Sequence, residues 1–496
     1  MSSANAQALM DALKPPTQAF IGGHRVDAQS GATFTTYNPA TGQPLAEIAA
    51  CGGADVDAAV EAARAAIEDG PWGLASPAER KRLMLRFAAL VEANAHELAT
   101  IETLESGKPI TDSSEIDLPE TINTIRWHAE AADKVNDQLT PSGSGVVSMI
   151  VREPIGVVGA VLPWNFPLLM AAWKLGPLLA TGNTCVLKPA EQTSMSTVRL
   201  AELALEAGIP GGVINVVTGD GPSVGEPIGR HPDIDCVTFT GSTETGRRFL
   251  TYAAESNLKR VTLECGGKSP FVVMADAENL DAVADHMCTS IFWNAGQNCS
   301  SNSRLIVHES VKDELLGLVQ EKTGDWAVGD PLDHEVKIGA LIEPEHLDKV
   351  MGHIAAASED GAQLVRGGNQ ILADSGGLFV EPTIFDGVTP DMRLFQEEVF
   401  GPVLSVTTFS NPEEGIDLAN QTSYGLAASV FTSNLRTAHL ASRRIKAGTV
   451  TVNCYGEGDA STPFGGYNLS GFSGRDNGLA AHDQYTEQKT IWIDLA

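Results

Sequence analysis

A chain of 496 residues, 43% hydrophobic and 19% charged, is long enough for about three domains and too apolar to stay disordered. Its 33 basic residues face 63 acidic ones, a formal charge of −30. That balance repels phosphate backbones and excludes nucleic acid as a natural partner, while suiting cationic or neutral small substrates or simply a solvated acidic surface.

Seven cysteines lie far apart with no C-x-x-C pair, a pattern of neither a disulfide framework nor a zinc site, so no metal is expected. The N-terminus lacks a basic start followed by an apolar run, and the apolar stretch 155–162 is too short to span a bilayer. The expectation is a cytoplasmic protein with no membrane contact.

Residues 1 to about 30 are weakly patterned and are expected to wrap the surface. Val56, Val60, Ala63 and Ile67 mark a first amphipathic helix. Ser76-Pro77-Ala78-Glu79 reads as a capping box with proline at the first helical position, followed by a stripe of Leu83, Phe87, Leu90, Val91 and Leu98. From residue 155 the rhythm changes to short β-rich runs: IGVVGAVL (155–162), NTCVL (183–187), VINVV (213–217), DCVTF (235–239) and KRVTLE (259–264). Helical stretches near 194–207 and 243–255 separate some of them. This alternation predicts an α/β fold with a parallel, doubly wound sheet that binds ligands beyond the carboxyl ends of its strands. A region from Pro270 to about Gly471 repeats the alternation and suggests a second α/β domain. GVVSMIVR (145–152) and KTIWIDL (489–495) fit neither core; the latter reads as a strand that pairs either with another subunit or with its own chain's sheet.

Several residues could carry chemistry. Cys299, in Gly296-Gln297-Asn298-Cys299-Ser300, offers a thiolate nucleophile. Glu264 ends a predicted strand before Cys265-Gly266-Gly267 and can act as a general base on water. In Pro163-Trp164-Asn165-Phe166-Pro167 the Asn165 amide can donate to a developing oxyanion. The turn from Gly241 and Ser242 to Gly246 joins a strand to a helix whose free amides suit a pyrophosphate. Lys188 and Glu191 follow another strand and can hydrogen-bond ribose hydroxyls, the glutamate disfavouring a 2′-phosphate. Gly221-Pro222-Ser223-Val224-Gly225 matches the G-x-S-x-G elbow of serine hydrolases, which makes Ser223 an alternative nucleophile of another class.

PWNFP, KPAE, FTGSTETG, LECGGKSP, GQNCS, EEVFGPV and PFGG occur in the order and spacing of the NAD(P)-dependent aldehyde dehydrogenase superfamily, which the chain resembles from about residue 20 to 495. The resemblance implies a Rossmann-type cofactor domain (1–134 and 153–265), a catalytic α/β domain (266–476) and a small β oligomerisation arm (135–152 and 477–496) in a homodimer or homotetramer. It implies that Cys299 attacks the aldehyde, that Asn165 and the Cys299 amide hold the oxyanion, that Glu264 activates the hydrolytic water, and that Lys174 assists proton release. Trp164, Lys188, Glu191, Gly221, Gly241, Ser242, Gly246, Glu398 and Phe400 would bind the cofactor, with Glu191 favouring NAD+ although NADP+ stays possible. Relatives that pass the acyl group to coenzyme A usually lack the base, so Glu264 implies a free acid as product.

For the substrate, family patterns place Phe166, Met170, Trp173, Asn298, Ser300 and Phe464 along the aldehyde tunnel. Asp117 and Glu120, one helical turn apart, are expected to share a face where related ω-aminoaldehyde dehydrogenases hold an amino group. Glu457 and Asp459 add two acids near the tunnel mouth. The C-terminal stretch looks most like bacterial γ-glutamyl-γ-aminobutyraldehyde dehydrogenases, so a linear ω-amino or γ-glutamylamino aldehyde is the preferred substrate, with betaine-type or broad aliphatic and aromatic aldehydes as alternatives. One departure, the extra residue in Ser470-Gly471-Phe472-Ser473-Gly474-Arg475, leaves open the loop shape there and any proton-relay role for Asp476.

Overall fold

The five β-rich runs of residues 155–264 do form one sheet. In the computed structural model, which describes residues 3–495 (side chains from residue 6), the parallel strands lie in the order Ile214–Val216, Thr184–Lys188, Val157–Val161, Cys236–Gly241 and Arg260–Cys265. This is the 3-2-1-4-5 order of a dinucleotide-type fold, and the strand order reverses between Val157–Val161 and Cys236–Gly241. Apolar side chains fill both faces of these strands, as a sheet covered on both sides by helices demands.

The capping box forms as its residue types dictate. Ser76 accepts from the Glu79 amide, Glu79 accepts from the Ser76 amide, and Pro77 opens the helix Pro77–Ala93. That helix stops at Asn94, so Leu98 belongs to the next one, Ala95–Ser106. The N-terminal segment is more ordered than its weak patterning suggests. It begins with a helix, Ser3–Leu13, and a hairpin of Ala19–Ile21 and His24–Val26 extends the first sheet through Phe20 and Val216. The hairpin turns on Gly22 and Gly23, both at positive φ. Residues 1, 2 and 496 lie outside the described residues.

A second sheet, of seven strands, is parallel except at one edge and runs from Pro270–Val273 to Thr449–Val452. It carries the largest apolar cluster of the molecule. Two short pieces depart from the expected division. Gly471–Phe472 leaves the second sheet's half and adds antiparallel to the first, with Gly471 opposite Glu264. Residues 477–485, expected in the arm, pack instead on the first body: Tyr485 lies in its core and His482 is buried. The bulk of Tyr485 and the small helix Ala480–Gln484 explain why this stretch folds inward rather than into the arm.

The arm is a three-stranded antiparallel sheet in which Thr486–Asp494 pairs along its length with Val146–Pro154 of the same chain. The C-terminal strand thus closes its own chain's sheet. Nearly all its side chains are exposed on both faces, Trp492 and Ile493 included. Among the described residues no helix is long and apolar enough to cross a membrane.

Candidate active site

The crevice at the point of strand reversal receives residues from three strand ends. Trp164 and Asn165 follow Val157–Val161, Lys188 and Glu191 sit at and beyond the end of Thr184–Lys188, and Gly241 and Ser242 end Cys236–Gly241. Two adjoining cavities, of about 470 and 360 Å3, share Pro163, Trp164, Thr240, Gly241 and Ser242. The outer one is lined by Lys188, Glu191, Gly221 and Gly225; the inner one by Asn165, Cys265, Gly266, Cys299, His346, Glu398 and Phe400.

The outer cavity has the chemistry of a nucleotide site. Ser242 caps the twelve-residue helix Thr243–Ala254, accepting from the Thr245 amide at 3.2 Å, so the positive end of that helix opens toward the cavity. Lys188 Nζ lies 3.4 Å from Glu191 and donates to the Pro189 carbonyl; burial lowers its pKa. Gly246 does not line either cavity. One turn into the helix, it faces the sheet, where a Cβ would meet Leu263 at 3.2 Å and Cys265 Sγ at 3.3 Å. Its missing side chain serves close helix–strand packing rather than ligand contact, because the helical periodicity turns it away from the crevice.

At the inner cavity Glu398 accepts from the Gly267 amide at 2.7 Å, and burial raises its pKa to about 7. Glycine at 266 is required for this placement, since a Cβ there would lie 2.0 Å from Glu398 Oε2. Phe400 adopts a left-handed backbone (φ 60°), a strained conformation for a bulky residue. Its ring and that of Trp164 meet edge to face at 5.4 Å. His346 was not found from sequence: its Nε2 donates to the Phe400 carbonyl at 2.7 Å, and burial lowers its pKa to about 4, keeping the imidazole neutral. No local motif marks it, because it approaches from a helix more than fifty residues before Phe400.

The nucleophile candidate is presented by a constrained turn. Asn294, Ala295 and Gly296 are all left-handed, and Gly296 passes so close to the Gly401 carbonyl that a Cβ would lie 2.2 Å from it. Asn165 Nδ2 donates to the Gln297 carbonyl at 3.0 Å, and Asn294 Nδ2 donates back to the Asn165 carbonyl at 3.1 Å. One N–H of the Asn165 amide is thus used to fix its orientation, leaving the second for a ligand oxygen. Burial pushes the Cys299 thiol well above its ordinary range, and Glu457, Glu398 and Glu264 push it further. The resting group is a neutral thiol.

Glu264 is buried, and neither of its carboxyl oxygens has a hydrogen-bond partner. Burial, then the nearby Asp476, hold its pKa well above the carboxylate range, against the pull of Lys174 and Arg475. Lys174 Nζ is ion-paired to Asp476 at 2.5 Å, and Gln484 donates to the other Asp476 oxygen at 3.2 Å. The extra residue before Arg475 therefore does not displace this cluster. Gly471 and Phe472 bridge to the first sheet, Ser473 turns left-handed, and Asp476 is delivered, buried, beside Lys174.

The tunnel residues are also brought together. Phe166, Leu169, Met170, Trp173, Leu426 and Phe464 form one apolar cluster, with Trp293 and Cys299 packed against it. Asn298 and Ser300, on either side of Cys299, both donate to Glu457, and Asn298 also donates to the Tyr455 hydroxyl. The other acids behave differently. Asp117 is fully buried and ion-paired to Lys108, whose Nζ sits 3.9 Å over the Phe166 ring, whereas Glu120 is exposed. The two do not share a face: Asp117 ends a π-helical turn, Ser113–Asp117, and the pull of Lys108 fixes it inward. Asp459 is exposed and spends its carboxylate on the Ser461 amide and hydroxyl, which lower its pKa. Ser223 sits on an exposed turn capped by Asp220, and among the described residues its hydroxyl has no histidine partner. That placement lacks the constellation a serine hydrolase needs.

A cysteine in the cavity at the switch point of a dinucleotide-type sheet, within electrostatic reach of a buried carboxylate, marks a two-sheet α/β protein with the groups of an enzyme site. The sequence model of the aldehyde dehydrogenase family matches residues 26–491, and the chain belongs to that family. It is 58% identical over 489 residues to an aminoacetaldehyde dehydrogenase of Pseudomonas aeruginosa, covering 99% of this chain and 98% of that protein. Its structure superposes on the γ-glutamyl-γ-aminobutyraldehyde dehydrogenase of Burkholderia cenocepacia with a TM-score of 0.97, 47% identity and full coverage of both chains. A mutant of the indole-3-acetaldehyde dehydrogenase of P. syringae, determined in complex with NAD+ and IAA, matches with the same TM-score at 49% identity.

Proposed function

We propose that the enzyme oxidises a short aldehyde bearing an ω-amino group to the free carboxylic acid, with NAD+ as the preferred acceptor. The observation that carries the substrate class is the position of Glu457, whose carboxylate sits on the residues immediately before and after Cys299. Glu457 is also the carboxylate that acts most strongly on the Cys299 thiol, so an ammonium against it would lie near the reacting sulfur, as a short ω-amino aldehyde needs. The 58% identity to an aminoacetaldehyde dehydrogenase supports the same class.

The cavities fit a dinucleotide. Lys188 and Glu191 would hold the adenosine ribose, Ser242 and its helix the pyrophosphate, and Glu398 the nicotinamide ribose, with Trp164 and Phe400 walling the inner end. Glu191 carries a negative charge where a 2′-phosphate would lie, which favours NAD+. When bound there, the nicotinamide accepts a hydride. Gly266→Ala is expected to displace Glu398 without breaking the fold, because the clash falls on a side-chain end; it should raise KM for NAD+ about tenfold, checked by steady-state kinetics.

Cys299 Sγ attacks the aldehyde carbon while the carbonyl oxygen, becoming anionic, is held by the free N–H of Asn165 and the Cys299 amide. After hydride loss the acyl group remains on Cys299 as a thioester. Glu264 then draws a proton from water, which attacks the thioester carbon, and the acid leaves as the thiol is restored. Lys174 and Asp476 hold charge balance beside Glu264 as it takes up and releases that proton. The apolar tunnel of Phe166, Met170, Trp173 and Phe464 excludes bulk water and aligns the chain of the substrate.

Exposed Leu139, Trp492, Ile493 and Leu495 on the arm support assembly as a homodimer or homotetramer. Seven free cysteines support a cytoplasmic location. The division into a cofactor domain, a catalytic domain and an arm is best drawn at the two sheets, with 471–472 and 477–485 going to the first body.

The deciding experiment is NADH formation on aminoacetaldehyde, 4-aminobutyraldehyde, its γ-glutamyl amide, betaine aldehyde, hexanal and benzaldehyde. The short ω-amino aldehydes should have the highest kcat/KM, and Glu457→Gln should lower it for aminoacetaldehyde by about 10- to 100-fold, the range of a charged hydrogen bond. Oxidation of hexanal should hold or rise. A profile led by hexanal or benzaldehyde would return Glu457 to a purely local role.

A further inference from the structure

Glu457 ties together the residues on both sides of Cys299. Its Oε1 accepts from both Ser300 Oγ and Asn298 Nδ2, while the Ser300 amide donates to Asn298 Oδ1, which also lies 3.1 Å from the Ser300 hydroxyl whose single proton is turned to Glu457. The carboxylate thus closes a ring of hydrogen bonds around the one residue between them, Cys299. The loop that brings it, residues 455–459, is anchored a second time where Asn298 Nδ2 donates to the Tyr455 hydroxyl at 2.9 Å.

Asn298 and Ser300 are buried, and burial raises the pKa of Glu457 as well; in its ionised form Glu457 carries a charge poorly screened from the thiol. Among the carboxylates that make the thiol harder to ionise, Glu457 acts most strongly, ahead of Glu398 and Glu264. The groups facing Glu457 are Ser300 and Asn298 from the nucleophile turn, Tyr455 from its own loop, and Asp117 from the π-helical turn, the last adding negative charge. Asp117 is itself held by Lys108, which also lies 3.7 Å from Glu102, and among the described residues no cation acts on Glu457. The free enzyme therefore holds its nucleophile in check with the same carboxylate that an ammonium-bearing substrate would cover.

We propose that Glu457 is a positioning residue through which the charge of the substrate activates the nucleophile: an ammonium seated against it makes Cys299 more reactive than it is in the free enzyme. This rests on the ω-amino reading of the substrate. In the reaction itself the thiol proton leaves to the ionised form of Glu264, which releases it to solvent before drawing one from water; Sγ forms its bond to the aldehyde carbon, and the carbonyl π pair moves to the oxygen held by Asn165. Covering Glu457 lowers the cost of the first of these events. The consequence is selectivity in kcat as well as in binding: neutral aldehydes of equal length enter the tunnel but meet a less reactive thiol.

The test needs no turnover. Iodoacetamide, small and uncharged, alkylates Cys299 with loss of iodide and the thiol proton, and the second-order rate reads thiolate availability. It is measured on the full-length enzyme at pH 7.5 with propylammonium, with 1-propanol of the same length, and with NaCl at matched ionic strength, the modified residue being identified by peptide mass spectrometry. Propylammonium is expected to raise the rate about three- to tenfold over 1-propanol and NaCl, the change that a shift of up to one pKa unit produces. Glu457→Gln is expected to react faster than wild type without additive and to be indifferent to propylammonium. Equal rates with propylammonium and 1-propanol in the wild type would overturn the proposal, and so would an acceleration that survives in Glu457→Gln. An aldehyde panel led by ω-amino substrates together with an unresponsive thiol would defeat the coupling alone. A panel led by neutral aldehydes would defeat the substrate reading, and the coupling with it.

Discussion

Cys299→Ser is expected to lower kcat/KM for every aldehyde by at least about 10^4-fold while leaving NAD+ binding within a factor of about two. The thiol is already difficult to ionise in this site, crowded by Glu457, Glu398 and Glu264. A serine hydroxyl, with a far higher intrinsic pKa, has no route to its anion there. Substitution of one chalcogen for another changes little in shape, so the Asn165–Gln297 contact and the left-handed run before Cys299 should persist. Steady-state NADH formation and isothermal titration with NAD+ separate the two effects. Retention of more than about one per cent of wild-type turnover would exclude Cys299 as the attacking group.

Glu264→Gln should instead split the reaction. Turnover is expected to fall about 10^2- to 10^4-fold, the usual weight of a general base, with a stoichiometric burst of NADH preceding the slow phase. Intact-protein mass spectrometry should find the acyl group on the enzyme during that phase. The pH dependence follows from the same environment. Burial and Asp476 hold the carboxyl protonated well above the ordinary range, so the base form appears only as pH rises through that elevated value. In the wild type kcat should therefore climb with pH above the ordinary carboxylate range, and this limb should vanish in Glu264→Gln. Lys174→Met, by removing the cation that opposes Asp476, should move the limb further toward alkaline pH. A pH profile unchanged by Glu264→Gln would assign the limb to another group.

Much of this site is legible in the linear chain because its parts sit at strand ends, and strand ends are marked by local pattern. The runs ending before Pro163, at Lys188, before Gly241 and at Glu264 are short, β-branched and apolar, and each is followed by residues unable to continue a strand. A doubly wound sheet necessarily gathers such ends on one edge, so Asn165, Lys188, Ser242 and Glu264 were bound to meet. Cys299 belongs to this set through its glycine-led turn.

What the chain order alone could not decide are contacts made between segments distant in sequence, where the outcome depends on which charges become buried together. Asp117 and Glu120 are equivalent on paper, yet Lys108 draws one of them out of solvent and leaves the other exposed. Glu457 and Asp459 are likewise two residues apart, and the hydroxyls of Ser300 and Ser461 send them to different work. His346 reaches Phe400, and Asp476 reaches Lys174, only because the folded chain joins segments far apart in sequence. Composition, periodicity and turn chemistry determined the fold class, and the ordered motifs that resemble the aldehyde dehydrogenase family pointed to Cys299 as the nucleophile candidate, since these depend on neighbours along the chain. The charge state of the thiol and the choice among its surrounding acids were decided by tertiary burial, which turns weak, solvent-screened charges into strong ones.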